Sequence, residues 1–171
     1  MAKSGLTTIP AYYVRYIELV PEEDLLEALK NNGKIFEKEI KALSEELGSY
    51  RYAEDKWSVK EVIQHVIDTE RIFSYRALCI ARGERQNLAG FDENQYAENS
   101  FADKRSMAEL LDDFKIMRAS TLSLFSSLEP QAMKKKGNAN GLVVSTELLG
   151  FCSVGHQIHH SNIIKERYQL Q

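Results

Sequence analysis

Long apolar runs are missing from this 171-residue chain. Nothing in it approaches the ~18 consecutive apolar residues of a membrane-spanning helix, and the opening MAKSGLTTIPAYY lacks the apolar core of a signal peptide. Proline and glycine are scarce, at three and nine, which excludes a turn-rich architecture in favour of long helices. The two cysteines, Cys79 and Cys152, are too few for a disulfide framework. The expected setting is therefore the cytoplasm, with reduced thiols. Neither sign of charge dominates: the formal net charge is −3, both signs are mixed along the chain, and no basic stripe offers itself to nucleic acid. No repeat stands out, and the length suits one domain over residues 1–171 with a real core.

Histidine is rare as well, and its placement is informative. Three of the four histidines, His156, His159 and His160, fall within five residues of the stretch STELLGFCSVGHQIHHSNIIKERY. On a helix, His156 and His160 are one turn apart on one face. That spacing lets both rings reach one metal ion ~2.0–2.1 Å from each nitrogen. The remaining histidine, His65, lies in a second helical pattern, WSVKEVIQHVIDTERIFSYRAL. Two histidines from one helix and one from another give three neutral ligands with positions left for water or substrate, as in a reactive metal centre. The plainer alternative is a core histidine with surface neighbours; concentration of nearly all the histidine at one place favours the metal. His159 points ~80° from the midline of the pair at ~100° per residue, which suits a supporting or surface role. Cys152, one turn before His156, reads as a small buried hydrophobe before it reads as a ligand.

Four helices are expected. The first starts at Pro21 ahead of Glu22, Glu23 and Asp24, acids that suit a helix N-terminus, and stops at Gly48, with Asn31-Asn32-Gly33 as a weak point. Residues 1–20 are taken as an arm on the outside of the bundle. The second opens on Ser58 and Glu61, a capping box, and runs to about Arg82. On its wheel Glu61, Asp68, Thr69, Ile72 and Arg76 share the face of His65 within ~60°. Glu61 reads first as a cap and Asp68 as a partner of Arg71 or Arg76. Residues 83–105 form a long connection without helical period, long enough to suggest a task; Phe91, Asp92 and Tyr96 are candidates to close over a pocket. The third helix runs from Ser106, another capping box with Glu109, to about Leu128. Lys134–Lys136 and the following NANG are expected to be a solvated turn. The fourth helix begins near Ser145.

These elements predict an all-α four-helix bundle. His65 lies ~10 Å from the start of its helix, and the His156/His160 pair ~12–18 Å from the end of its own, at ~1.5 Å per residue. Running the second and fourth helices antiparallel levels the three rings. That requires up-down-down-up topology, with residues 83–105 as a long crossover between the second and third helices.

The blocks KWSVKEVIQHVIDTERIFSYRAL, GFDENQY and GHQIHHSNIIKERY together resemble the DinB-like superfamily of four-helix-bundle proteins, in an order and spacing that cover the chain from Pro21 onward. In that family a histidine of the second helix and an H-x-x-x-H pair of the fourth bind a divalent metal, which carries over to His65, His156 and His160. The resemblance implies a metal-dependent enzyme, with zinc or nickel as the metal, acting on a small-molecule substrate and often a homodimer. Members with assigned activities include bacillithiol S-transferases and a mycothiol-dependent isomerase. No residue of this chain identifies a thiol cofactor, and none beyond the metal ligands is assigned a catalytic role.

The expected function is thus activation of a low-molecular-weight thiol, or of water, at a three-histidine metal site, in a thiol S-transferase type of reaction. A metal-dependent hydrolase uses the same parts. A non-catalytic stress-related binding protein is the alternative of another class, and a fourth protein ligand closing the site would favour it. No nucleic acid or membrane is expected as a partner.

Overall fold

Four long helices carry the fold in this computed structural model, which describes residues 2–168. They are α2 (Leu25–Ala42), α4 (Val59–Arg82), α6 (Met107–Ser126) and α8 (Thr146–Arg167), joined by the short helices α1 (Ala11–Ile17), α3 (Glu45–Gly48), α5 (Glu93–Ser100) and α7 (Pro130–Met133). Both expected capping boxes form, Ser58 with Glu61 and Ser106 with Glu109, each satisfying two free amides of a first turn. The expected helix over 21–48 is shorter and divided. Asp24 accepts from the amides of Leu26 and Glu27 and so fixes the start at Leu25. Ser44 caps α3 separately, leaving a break at Leu43. Asn31-Asn32-Gly33 does not interrupt α2; a Cβ at Gly33 would sit 3.1 Å from Nη1 of Arg118, so the glycine leaves room for that side chain of α6.

Contacts along the helices fix their directions. Arg105, just before α6, donates to Gln64 at 2.5 Å, and Ser74 meets Thr121 at 3.0 Å, so α4 and α6 run parallel. The rings of Phe36 and Phe114 are 5.0 Å apart while Arg118 donates to the carbonyl of Leu29 at 2.8 Å, so α2 and α6 are antiparallel. Tyr168, at the end of α8, donates to the carbonyl of Trp57 at 2.6 Å, and Lys135, ahead of α8, donates to that of Ala81 at 2.8 Å. Helix α8 is therefore antiparallel to α4, and the topology is up-down-down-up. The crossover returns along α4: the carboxylate of Asp103 accepts from the hydroxyl of Ser58 at 2.5 Å, back at the helix start.

Three segments differ from the sequence reading. The crossover is not structureless: it contains α5 and a 3₁₀ turn at Ala102–Lys104. Residues 136–145 form a hairpin, with β1 (Lys136–Ala139) antiparallel to β2 (Leu142–Ser145), and Leu88 of the crossover bridges to Ala139. Its two-residue turn is Asn140-Gly141, both at positive φ (51° and 74°), the pairing that asparagine and glycine favour. Finally, the expected outer arm is anchored. Tyr13, Tyr16 and Ile17 of α1 are buried in the core, because α1 lies across α8 at Gly155.

Gly155 permits that docking. A Cβ there would overlap the carbonyl of Tyr16, a backbone group with nowhere to go. Gly155→Ala is therefore expected to lift α1 from α8 at a cost of ~1–3 kcal/mol, the range for overpacking. Amide exchange over residues 11–17 should rise by a large factor in this variant, and unchanged protection there would refute the docking role.

The core has two apolar halves. One gathers α1, the start of α2, the end of α4 and the start of α8; the other gathers the end of α2, the start of α4 and the start of α6. A buried polar layer lies between them. Arg118 grips Glu70 with Nε at 2.8 Å and Nη2 at 2.7 Å, donates to the carbonyl of Leu29, and reaches Gln157 at 3.3 Å. One ion pair so touches all four long helices. Among the described residues no helix is long and apolar enough to cross a membrane.

Candidate metal centre

The antiparallel pairing of α4 and α8 brings His65, His156 and His160 together. Their ring centroids are 4.9 Å (His65–His156), 4.8 Å (His65–His160) and 4.5 Å (His156–His160) apart. One ligand nitrogen from each lies within 4.8 Å of the others. Nε2 of His65 and Nε2 of His156 face each other at 3.1 Å, close to the ~3.3 Å expected for two nitrogens ~2.0–2.1 Å from one tetrahedral ion. His160 has a buried Nδ1 without a hydrogen-bond partner, a cost that a ligand role or a bound group would remove. The donor set therefore fits a divalent metal.

The surroundings keep these rings neutral. Burial is the main cause in each case: it pushes the pKa of His65 down to about 4 and those of His156 and His160 well below the usual histidine value. A neutral ring keeps its lone pair free, as a ligand must. Aromatic walls supply the burial. Trp57 lies 4.9 Å from His65, Tyr16 5.4 Å from His156, and Phe73 6.2 Å from His156.

A cavity of about 420 Å³ opens beside the three histidines, within the size range of small-molecule sites. His159 lines it without joining the group, its ring 5.5 Å from that of Tyr16. Tyr16 stays a protonated phenol, its pKa raised to about 12 mainly by burial, and its oxygen accepts from Arg15 at 2.8 Å. Phe91 lines the cavity as well, backed by Tyr96 at 5.0 Å, whereas Asp92 turns to cap α5.

Other acids and the thiol stand apart. Glu61 serves its capping box and accepts from Arg51 at 2.5 Å, and Asp68 accepts from Gln64 at 2.9 Å and Arg71 at 3.1 Å. Cys152 is wholly buried in the apolar core, and burial raises its thiol pKa well above the usual value. Such a thiol is inert. Cys152→Ala should keep any bound metal and most activity and lose about 1 kcal/mol, the cost of one deleted buried heavy atom. Activity that vanishes in this variant while metal stays bound would transfer the chemistry to the thiol.

Sequence reasoning missed the wall that α1 supplies. A signal was present: Tyr13, Tyr16 and Ile17 recur at helical spacing after Pro10, a start residue. Leu142 of the hairpin, another wall residue, had its signal in the Asn-Gly turn.

Fold and site together define an up-down-down-up helical bundle with a three-histidine group suited to a metal. Residues 28–164 match the model of the DinB superfamily, and the chain belongs to that superfamily. Among solved structures it is similar to YfiT from Bacillus subtilis, described as a probable metal-dependent hydrolase with an unusual four-helix bundle topology (TM-score 0.71, 17% identity, 94% of this chain and 89% of that one). It is also similar to the mycothiol-dependent maleylpyruvate isomerase (TM-score 0.67, 13% identity, 94% of this chain), of which it spans 62%. At such identities the likeness is one of fold. No curated protein matches the chain by sequence.

Proposed function

We propose that this protein is a divalent-metal-dependent enzyme in which His65, His156 and His160 hold zinc or nickel, with transfer of a low-molecular-weight thiol as the leading reaction. The observation that supports the reading is a cavity of about 420 Å³ lined by all three histidines, with no fourth histidine, cysteine or carboxylate joining the group among the described residues. A metal that merely stapled the fold would be closed by a fourth protein ligand. A divalent ion held there would acidify a thiol or water at its free positions. The chain's own contribution is to keep three lone pairs free, to exclude water with Trp57, Tyr16 and Phe73, and to hold a neutral phenol at Tyr16 as a hydrogen-bond donor. Hydrolysis of an ester or amide is the second reading, because the same parts serve water as readily as a thiol.

Metal analysis of the purified protein, paired with a turnover screen, tests both. The screen sets small thiols against an aryl halide electrophile, alongside ester and amide substrates. Turnover should require metal and all three histidines, and the productive arm identifies the reaction. A protein that takes up no divalent metal, or whose turnover survives complete chelation, would overturn the proposal.

A further inference from the structure

Two arginines of this bundle are buried, and they are treated differently. Arg118 has a carboxylate in both arms of its fork. Arg76 is as deeply buried, at 4% exposure against 3% for Arg118, yet among the described residues it has no ion pair. Its one hydrogen bond there runs from Nη2 to the carbonyl of Ala89 at 2.5 Å. A guanidinium carries five donors and cannot shed its charge, and a buried charge without a counter-charge is costly. Arg76 also lines the cavity that opens onto His65, His156 and His160. Its neighbour on the same helix face, Thr69, has a buried hydroxyl without a partner. Among the described residues the one carboxylate on the cavity wall is that of Glu93, an exposed residue that forms no ion pair with Arg76 there.

We propose that Arg76 is the seat of an oxyanion carried by the substrate, so that the cavity takes an elongated small anion with its charged end at Arg76 and its reacting end at the histidines. The proposal rests on the reading of this cavity as the substrate site. Positions 65 and 76 are eleven residues apart on α4, ~16 Å of rise, a gap that shortens where a long helical side chain leans toward the N-terminus. One small ion cannot span that distance; a molecule with an apolar middle can. Aromatic rings contribute to the wall: Phe73 lies between Thr69 and Arg76 along α4, Tyr13 packs edge-on to it at 6.1 Å, and Phe91 of the crossover lines the cavity as well. Arg15, exposed beside the cavity and lying over the rings of Tyr12 and Tyr16 at 4.7 Å, adds a second positive charge that would draw an anion inward.

The test compares 3-phenylpropionate, the matching arylalkyl sulfonate and the matching phosphate monoester with the neutral 3-phenylpropionamide. Binding is titrated calorimetrically on the full chain, wild type, Arg76→Gln and Arg76→Lys, with zinc and after chelation. At least one anion should bind tenfold or more tightly than the amide, and the three arms show which oxyanion suits the fork. In Arg76→Gln the preference should fall to about twofold or less; Arg76→Lys, which keeps the charge and loses the fork, should retain part of it. The preference should also survive chelation and His156→Ala, which separates this proposal from the metal assignment. Equal binding of anions and amide, no saturable binding by any anion, or an unchanged preference in Arg76→Gln would each overturn it. So would a preference that disappears with the metal, since the metal would then be the seat of the anion. Should Arg76→Gln fail to fold, the wild-type comparison and Arg76→Lys decide.

Discussion

Replacing His65, His156 or His160 by alanine is expected to lower divalent-metal affinity by more than about a hundredfold, beyond the ~10–100-fold that loss of an outer partner of a ligand costs. His159→Ala should leave affinity nearly unchanged, because its ring lies outside the three-nitrogen group. Thermal or urea unfolding gives an independent reading. Saturation at ~100 times the dissociation constant should stabilise the wild type by about 2.7 kcal/mol, and each ligand variant should lose that gain. The metal-free variants should differ little from metal-free wild type, since the two apolar halves hold the bundle. Equal metal retention in His65→Ala and wild type would sink the assignment. Acid acts on the same rings. Burial depresses the folded pKa of His65 from 6.5 to about 4, so the neutral ring is favoured by folding. Its contribution to the stability of the metal-free protein is complete above pH 6.5 and is lost as the pH falls toward 4.

The second large effect belongs to the polar layer. Glu70→Ala should destabilise the protein by ~3–5 kcal/mol, because it leaves the guanidinium of Arg118 buried without a counter-charge. The double replacement Glu70→Leu with Arg118→Met should recover most of that loss, since a well-packed apolar pair of similar volume often matches or exceeds a buried ion pair. Urea unfolding of the three proteins measures both numbers. A loss below about 1 kcal/mol in Glu70→Ala would show that water reaches the pair and screens it. The double variant carries a further consequence. Arg118 binds a side chain of α4, a carbonyl of α2 and a side chain of α8, so its removal deletes a polar tie common to all four long helices. If that tie fixes the register of α4 against α8, metal affinity should fall in the double variant even where stability recovers.

Much of this was legible in the chain itself. The capping boxes at Ser58 and Ser106 and the stop at Gly83 are local chemistry, made by residues within a turn of one another, and they appear as read. The direction of α8 against α4 followed from one metric argument, the depth of His65 in its helix against that of His156 and His160. Glu61 and Asp68 behave as their nearest neighbours in sequence implied, one as a cap and one as a partner of Arg71.

What the sequence determined by itself is therefore what depends on spacing: the four long helices, the ends that a capping box or a terminal glycine marks, and two rings a turn apart. Tertiary structure decided the rest, and for a common reason. The value of a contact between distant segments is set by the burial and charge it meets there, which no local pattern encodes. Tyr16 is an ordinary tyrosine until Gly155 admits α1 onto α8 and seats it against His156. Arg76 and Arg118 look alike along the chain, each on a long helix with no acid within a turn of it. Only packing shows that one meets Glu70 in the core while the other, equally buried, faces a cavity with no ion-pair partner among the described residues.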